Sequence, residues 1–389
     1  MTTLSRPAEV ERAIRSAPAH SLPEALEKAL MAQLPVVVAA QLLLADYRLN
    51  VLLPVQDKHG AEALRVHGTP AGQAFASRRP VVQQSTLAQE PACQIFAPVT
   101  ARGERLGVLS VLTKAPDADQ LVDELVEIGE LVGAALKVAW NHTDRYERVR
   151  RRQRLTLAAE IQWQLLPGYE STCKEFSLAG HLEPAYSIAG DNFDWSTEQD
   201  HLTLTVTNGS GTGIQAALLT ALTVGALRNS RRSGEDVAEQ AGLAGAVVNA
   251  RYRGEEFTET VLLRIDLADG RVTAVDAGSP HIFRMRGLEV APIELEHQMP
   301  LGMFPDTEYK AQRFTLDPGD RLVIVSDGVY SAVSPHGDGF GTRVLQQQIL
   351  NSRLQDPAEV PLSILSSLID YHEGQELVDD AVVLCLDWK

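Results

Sequence analysis

The sequence predicts a mixed α/β (α+β) chain of two domains joined by a helical segment, and three observations lead to this fold class. The chain has 389 residues, a two-domain length with room for a substantial core in each domain. Apolar residues recur at heptad-like spacing over residues 121–139, as on one face of a helix. Beyond residue 167, alternating strand patterns, glycine-rich turns and acidic residues at strand ends replace that spacing.

The overall composition favours a cytoplasmic globular protein. Hydrophobic residues make up 44% and charged residues 22% of the chain, which excludes wholesale disorder. The net charge of −16 argues against non-specific binding to nucleic acid or to an anionic membrane. The longest apolar run, residues 34–45, is too short to cross a bilayer, and the N-terminus lacks the apolar stretch of a secretory signal. The three isolated cysteines fit reduced thiols rather than a disulfide framework.

The first predicted domain, residues 21–140, has an α/β pattern. Residues 42–53 predict two strands joined by a polar turn. Thr69-Pro70 predicts the N-cap and first position of a short helix that runs through Phe75. A second pair of strands is predicted around the turn at residues 102–104.

Two segments of this domain, residues 68–75 and 97–109, resemble those of GAF domains. The resemblance covers about a third of the chain and implies a sensor domain of that fold. GAF domains bind nucleotides, haem, bilins or no ligand, and no residue in this sequence selects among these possibilities. Cys93 is interpreted as a packed core residue rather than a ligand-attachment site, because a lone cysteine entering a strand is far more often buried.

A helical linker, residues 141–168, is predicted to join the two domains. The apolar stripe that precedes it has alternating steps of four and three residues: Leu121, Leu125, Ile128, Val132, Ala135 and Ala139. An arginine-rich stretch, residues 145–154, interrupts the stripe, and a second stripe at 157–165 ends before Pro167-Gly168. The pattern predicts a coiled-coil-like signalling linker that dimerises. The alternative is the last helix of one domain followed by the first helix of the next.

In the second predicted domain, residues 169–389, oxygen-bearing side chains fall beside predicted strands at four places. These places are Asp191, Asn208, Asp327 and the pair Asp379-Asp380. Hard oxygen ligands of this kind suit Mg²⁺ or Mn²⁺ rather than zinc. A paired-metal carboxylate site hydrolyses phosphate esters without a protein nucleophile, because it holds a phosphoryl oxygen and ionises a water. A single Asp-Gly at a strand end indicates only a turn. Four such places in this order favour a shared site over four unrelated turns.

The order and spacing of these places resemble the metal-dependent (PPM-type) serine/threonine phosphatases, in their bacterial SpoIIE-like branch. The resemblance covers residues 155–388, and these motifs carry it: the opening helix 155–167, Gly190-Asp191, the turn 208–213, residues 277–280, residues 300–302, Ser326-Asp327-Gly328 and Asp379-Asp380. It implies an α-β-β-α sandwich, in which helices flank two packed antiparallel sheets and the metals lie at one edge.

The same resemblance implies a ligand set for two divalent ions, Mn²⁺ or Mg²⁺. Asp191 and the carbonyl of Gly209 would hold one ion. Asp327 and Asp379 would hold the other, and residue 208 would bridge the two. The candidate catalytic residues are therefore the three aspartates and Asn208.

This sequence departs from the family at the bridging position, where Asn208 stands in place of Asp. An amide offers one neutral carbonyl oxygen and its NH₂ end repels a cation, so at least one ion is expected to bind more weakly. Histidines usual in two turns of the family are replaced by Thr212 and Ser279. The roles of Asp194 and Asp380 stay open between support of the ligands and a surface salt bridge.

The three parts together resemble the regulators of bacterial sigma-factor partner switching. The resemblance implies a homodimer, paired through the GAF domain and linker, that removes phosphate from a phosphorylated STAS-type anti-sigma-factor antagonist. Three interpretations of Asn208 stay open: an enzyme that needs high Mn²⁺ or an activating partner, a degenerate member that binds a phosphoprotein without turnover, and a deliberate replacement of a natural Asp. A nucleic-acid regulator that uses the arginines of 145–154 is disfavoured, because the chain is acidic and the run has few aromatic residues.

Overall fold

The computed structural model describes residues 5–56, 62–87, 90–114, 119–151, 155–184, 190–278, 280–341, 343–373, 375 and 377–389. The chain divides into two compact units between residues 154 and 155. Within the described ranges, no helix is both long enough and apolar enough to span a membrane. All three cysteines are free thiols, with Cys93 and Cys385 buried.

The first unit is built on a six-stranded antiparallel sheet. Its strands are β1 (Val37–Ala45), β2 (Val51–Pro54), β3 (Leu64–Arg65), β4 (Val81–Leu87), β5 (Glu90–Ala101) and β6 (Glu104–Thr113), in the order β3-β2-β1-β6-β5-β4. Its helices are α1 (Arg6–Ser16), α2 (Leu22–Gln33), α3 (Pro70–Ser77), α4 (Asp119–Trp140) and α5 (Arg145–Arg150). Both predicted strand pairs are present, as β1 with β2 and β5 with β6.

Local signals in the sequence account for the ends of these elements. The Thr69 hydroxyl accepts a hydrogen bond from the Gly72 N–H at 3.0 Å and so caps α3, which begins with Pro70 as predicted. In the turn between β5 and β6, Arg102 and Gly103 have φ of 51° and 88°. Positive φ at both central residues matches the turn whose twist suits paired strands.

The apolar stripe of α4 lies in the core of the first unit. Leu125, Ile128 and Val132 are wholly buried, and they pack with residues of α1, α2 and the sheet. The sequence predicts this stripe as the start of a dimerising coiled coil, and the structure instead uses it inside the unit. The alternative interpretation, in which α4 is the last long helix of its domain, describes the observed packing.

The first arginines after α4 also contact this unit. Arg145 forms an ion pair with Glu24 at 2.5 Å, and the Nε of Arg150 donates to the carbonyl of Ala45 at 2.9 Å. The guanidinium of Arg150 also lies over the ring of Tyr47. Residues 152–154 of the arginine-rich stretch lie outside the described residues. The described arginines therefore stabilise their own domain.

The second unit contains two antiparallel sheets, one with the order β15-β12-β11-β10-β9 and one with the order β14-β13-β16-β17-β8-β7. The strands are β7 (Glu170–Thr172), β8 (Phe176–Glu183), β9 (Asp191–Thr197), β10 (His201–Gly209), β11 (Thr258–Asp266), β12 (Arg271–Ala277), β13 (His281–Arg286), β14 (Glu289–Pro292), β15 (Gln312–Thr315), β16 (Arg321–Val325) and β17 (Ala381–Trp388). The helices are α6 (Leu157–Leu165), α7 (Gly213–Arg232), α8 (Val237–Tyr252), α9 (Asp327–Tyr330), α10 (Arg343–Asn351) and α11 (Val360–Tyr371).

The two sheets pack face to face, and helices cover their outer faces. Alternate residues of β10 and β11, such as Val206 and Val261, point into the core shared by both sheets. Helices α7 and α8 bury the outer face of the five-stranded sheet, and α10 and α11 bury that of the six-stranded sheet. The predicted α-β-β-α sandwich is therefore the observed architecture of this unit.

The unit boundary places α6 with the sandwich. The sequence analysis assigns α6 to the linker 141–168, whereas in the structure Ala159 and Trp163 are buried and α6 packs on α7. The segment predicted as one linker is thus divided between the end of the first unit and the first helix of the second.

Candidate metal centre

Three neighbouring strands bring three polar side chains to one end of the sandwich. Asn208 on β10 pairs with Asp191 on β9 and with Glu259 on β11. Directly paired residues of antiparallel strands have side chains on the same face, with Cβ atoms about 4.5–5.5 Å apart. These positions have the same parity along their strands as Phe193, Val206 and Val261 in the core. The row therefore lies on the inner face of the five-stranded sheet.

The opposite sheet contributes two aspartates at the same edge. Asp327 follows β16 and begins α9, and Asp379 lies just before β17. Because β16 and β17 are antiparallel, with Val325 paired to Val383, the end of one and the start of the other coincide. A Cβ on Gly328 would lie 1.9 Å from the Asp380 carbonyl oxygen, so only glycine permits this close approach.

Asp191 is the most deeply buried of these carboxylates. Its side chain is fully buried, and neither carboxylate oxygen has a hydrogen-bond partner among the described residues. Burial raises the pKa of Asp191 well above its usual value, and the nearby Asp380 and Asp327 raise this pKa further. The Ser326 hydroxyl, which is near the carboxylate but not in hydrogen-bonding geometry with it, opposes the shift. An unpartnered buried carboxylate is costly on its own and is the kind of group that a bound cation stabilises.

The side chain of Asn208 is engaged with Asp327. Its Nδ2 donates to Oδ1 of Asp327 at 2.6 Å, and the Gly328 N–H donates to the same oxygen at 3.0 Å. Burial and then Glu259 raise the pKa of Asp327, whereas these two hydrogen bonds lower it. The pKa of Asp379 is raised to about 6, by burial and then by Asp327. The site is therefore a concentration of negative charge that one neutral amide partly relieves.

Asp380 positions the strand that carries Asp191. Its Oδ2 accepts from the Gly190 N–H at 3.0 Å and from Nε2 of Gln162 at 2.8 Å. Gln162, on α6, also donates to the main-chain carbonyl of Asp191 at 3.1 Å. Asp380, whose role the sequence leaves open, thus supports a candidate ligand. The sequence analysis missed Gln162, although its place on the same helix face as Ala158 and Ala159 is the signal that could have found it.

Asp194, the other carboxylate left open, lies elsewhere on the same unit. It is almost fully buried and pairs with Arg228 at 2.7 Å and with Arg231 at 2.9 Å, both on α7. Asp194 is therefore a buried ion-pair residue that fastens α7 to β9. Thr212 precedes α7 as its N-cap without a side-chain capping bond, and Ser279 lies outside the described residues.

Two glycines bring the main chain close to Asp191. Gly190 has φ of 107°, and its carbonyl accepts from the Gly209 N–H at 3.2 Å and from the Thr220 hydroxyl at 2.6 Å. A Cβ on Gly209 would lie 2.4 Å from Oγ1 of Thr220. Glycine is therefore required at position 209, where the sequence analysis expects a carbonyl ligand.

The donor chemistry at this edge fits a hard divalent cation. The candidate ligands are carboxylate and carbonyl oxygens, which Mg²⁺ and Mn²⁺ prefer, and Asp191 offers two unpartnered oxygens. Over the described ranges, no three His, Cys, Asp or Glu side chains already surround a common point as metal ligands do. The contact between Asn208 and Asp327 explains why these side chains do not surround one point, since an N–H donor lies where a bridging carboxylate would be.

The sequence analysis also missed Glu259. The alternation Thr258-Glu259-Thr260 before Val261 places this glutamate on the inner face, which is a usable signal. Its neighbours, however, depend on the pairing of β10 with β11, and two long helices separate these strands in the sequence.

Comparisons with known proteins find a matching family and related chains. Residues 198–389 match the sequence model of the family described as Stage II sporulation protein E (SpoIIE). The chain is 23% identical over 264 residues to Protein IcfG of Synechocystis sp., covering 60% of this chain and 41% of that protein. It is 22% identical over 275 residues to Phosphoserine phosphatase RsbU of Bacillus subtilis, covering 70% of this chain and 81% of that protein. The chain thus spans less than half the length of the first of these relatives.

A similar solved structure shows the fold alone. The RsbU and RsbW domains of Rv1364c from Mycobacterium tuberculosis align with a TM-score of 0.50 at 19% identity, covering 58% of this chain and 62% of that one. The family match adds the type of domain. Most of the second unit, residues 198–389, is therefore similar to the SpoIIE-type PPM phosphatase domains.

Proposed function

We propose that the chain is a metal-dependent protein serine/threonine phosphatase that acts on a phosphorylated STAS-type protein in sigma-factor partner switching. One observation carries the proposal: Asp191, Asp327 and Asp379 meet at one edge of the sandwich, and the buried oxygens of Asp191 have no hydrogen-bond partner among the described residues. Asp191 and the Gly209 carbonyl on one sheet, with Asp327 and Asp379 on the other, would hold Mn²⁺ or Mg²⁺.

A divalent ion bound there supplies an ionised water at neutral pH and a positive charge for the phosphoryl oxygens. The chain's own contribution is positioning. Gln162 and Asp380 fix the start of β9 and therefore the place of Asp191. The close approach of Gly328 to the main chain of Asp380 fixes Asp327 beside Asp379. Preorganised ligands of this kind need no rearrangement during the reaction.

Asn208 is expected to set the metal requirement of this enzyme. It adds no charge at the bridging position, and its amide N–H occupies an oxygen of Asp327. Metal binding therefore competes with a hydrogen bond that is already made. The proposed enzyme accordingly needs a higher Mn²⁺ concentration than one with a carboxylate at this position.

The substrate and regulatory parts of the proposal are drawn from the relatives and from the first unit. One relative is named as a phosphoserine phosphatase, and RsbU and RsbW domains occur together in a solved protein of the same fold. The first unit is proposed to be a GAF-type sensor, with a six-stranded sheet and the predicted hairpins. A cytoplasmic homodimer formed through this unit completes the proposal.

The test is Mn²⁺-dependent hydrolysis of p-nitrophenyl phosphate and of a phosphorylated STAS-domain protein. Asp327→Asn is expected to lower kcat/KM at least about a hundredfold, because it removes a ligand charge at the reacting phosphate. Asp317→Asn is the matched control, since Asp317 is exposed and pairs with Arg286 away from this edge. Equal turnover by the Asp327→Asn variant would refute the proposed site.

A second candidate function is phosphoprotein binding without turnover, and the hydrogen bond from Asn208 to Asp327 specifically favours it. Asn208→Asp distinguishes the two functions. If the natural chain hydrolyses the substrate and the variant only lowers the Mn²⁺ requirement, the chain is an enzyme with weak metal binding. If only the variant is active, Asn208 is the residue that disables a competent scaffold. If neither hydrolyses phosphate with metal bound, the binding function replaces the phosphatase.

A further inference from the structure

Glu259 is a carboxylate of the candidate metal centre that neither the motifs nor the proposed ligand set includes. It is directly paired with Asn208, on the side of Asn208 opposite to Asp191. All three residues lie on the inner face of the sheet, so the side chains form a row along one edge. Glu259 therefore lies beside the one position in this row that lacks a negative charge.

Gly278 follows β12, which pairs with β11 on the side opposite to β10, and it leaves room for the side chain of Glu259. A Cβ on Gly278 would lie 2.4 Å from Cβ of Glu259 and 2.6 Å from its Cγ, so this side chain packs across the glycine. Glu259 lies close enough to Asp327 on the facing sheet for their negative charges to repel. The carboxylate thus faces the same space as the aspartate that Asn208 contacts.

The side chain of Glu259 makes no hydrogen bond or ion pair with any other described residue, although it is half-buried. Glu256, three residues earlier, differs in this respect, because its Oε2 accepts from the Ser210 hydroxyl at 2.7 Å. A second carboxylate in the row, Asp191, is also without a hydrogen-bond partner and is fully buried. Two such carboxylates on either side of one amide are the arrangement that a shared cation would stabilise.

We infer that Glu259 is a metal-ligating residue of this chain and supplies, from the next strand, the carboxylate oxygen that Asn208 cannot provide. The inference rests on the proposed metal-dependent function and deepens it. The Glu259 carboxylate supplies the negative charge that the Asn208 amide lacks at the bridging position. The chain is therefore not simply a phosphatase with one ligand removed, because its ligand set is redistributed across β10 and β11.

The experiment measures Mn²⁺ binding to the full chain by isothermal titration calorimetry, independently of turnover. Glu259→Gln is expected to raise the Kd for Mn²⁺ at least tenfold, whereas the control Glu256→Gln changes it less than twofold. In a double-mutant cycle, Glu259→Gln is expected to raise the Kd for Mn²⁺ much less when Asn208→Asp is present. The carboxylate at position 208 then supplies the negative charge that Glu259 otherwise provides.

Thermal unfolding in EDTA separates a ligand from a structural residue. Without metal, Glu259→Gln is expected to be at least as stable as the natural chain, because it removes repulsion with Asp327. Glu259→Asp is the second variant. It keeps the charge and shortens the reach, and it is expected to raise the Kd for Mn²⁺ as well.

The outcomes are separable from those of the proposed function. Unchanged Mn²⁺ affinity in Glu259→Gln and in Glu259→Asp overturns this inference alone. Absence of Mn²⁺ binding to the natural chain and to the Asn208→Asp variant overturns both the inference and the metal-dependent function. Mn²⁺ binding that depends on Glu259 in a chain that hydrolyses no phosphate supports the inference and overturns the proposed activity.

Discussion

The Asn208→Asp substitution is expected to destabilise the metal-free protein and to make its stability depend strongly on Mn²⁺. It replaces the hydrogen bond of 2.6 Å between Asn208 and Asp327 by two adjacent carboxylates. A hydrogen bond to a charged group contributes about 1.5–3 kcal/mol. Two like charges about 4 Å apart repel by about 4 kcal/mol at an effective dielectric constant near 20. Part of this repulsion is relieved when one carboxylate binds a proton, so a net loss of about 3 kcal/mol is expected.

The assay is thermal unfolding followed by circular dichroism, in EDTA and in saturating Mn²⁺. For a domain of about 150–250 residues, a loss of about 3 kcal/mol lowers Tm by roughly 6–12 °C. Mn²⁺ at about 100 times its Kd adds back about 2.7 kcal/mol, so the variant is expected to recover to near the natural Tm. Asn351→Asp is the matched control, because this exposed asparagine ends α10 next to Ser352, which binds Arg321 at the end of β16 opposite to the site.

Two results would refute this reasoning. One is a Tm in EDTA that Asn208→Asp leaves unchanged within about 1 °C, since the contact with Asp327 would then contribute nothing. The other is equal stabilisation of the natural chain and the variant by Mn²⁺ at every concentration, since the added charge would then play no part in metal binding.

The remaining predictions concern the ion pair beneath α7 and the dependence of stability on pH. Asp194→Ala leaves Arg228 and Arg231 without their shared counter-ion. The free energy of unfolding, measured in urea, should therefore fall by about 3 kcal/mol. A fall of less than about 1 kcal/mol would contradict a buried ion pair. Because the folded-state pKa of Asp379 is raised to about 6, its stabilising contribution is complete below the ordinary Asp value near 4 and is lost as pH rises through about 6. In EDTA, Asp379→Asn should therefore flatten the decline in Tm between about pH 4 and pH 7, and an unchanged slope would contradict the shift.

Much of the fold follows from signals that act over a few residues. The cap at Thr69 and the turn at Arg102-Gly103 are both where the sequence predicts them, because caps and tight turns depend on local backbone geometry. The aspartates at strand ends are also predictable, since an acidic residue after a buried strand stands out from its apolar neighbours. Their convergence at one edge follows from the antiparallel pairing of β16 with β17.

Features that depend on long-range pairing are not predictable in the same way. The stripe of α4 has coiled-coil spacing, but the same spacing also buries a helix against a sheet, and only the partner surface decides between them. Asp379 and Asp380 are adjacent in sequence, yet one faces the candidate metal site and the other binds Gln162 and the Gly190 N–H. Glu259 joins the site only because two strands separated by α7 and α8 become neighbours.

The contact between Asn208 and Asp327 links stability and metal binding at one position. In a site with several carboxylates, each close pair raises the free energy of the metal-free fold. The raised pKa values of Asp191, Asp327 and Asp379 reflect burial first and this repulsion second. An amide at position 208 replaces one repulsive pair by a hydrogen bond, so the fold depends less on a bound cation. The same amide removes charge from the cation's surroundings and lowers the affinity. Stability without metal and affinity for metal are therefore opposed at position 208. The amide of Asn208 preserves the stability, and the carboxylate of Glu259 on the neighbouring strand restores the affinity.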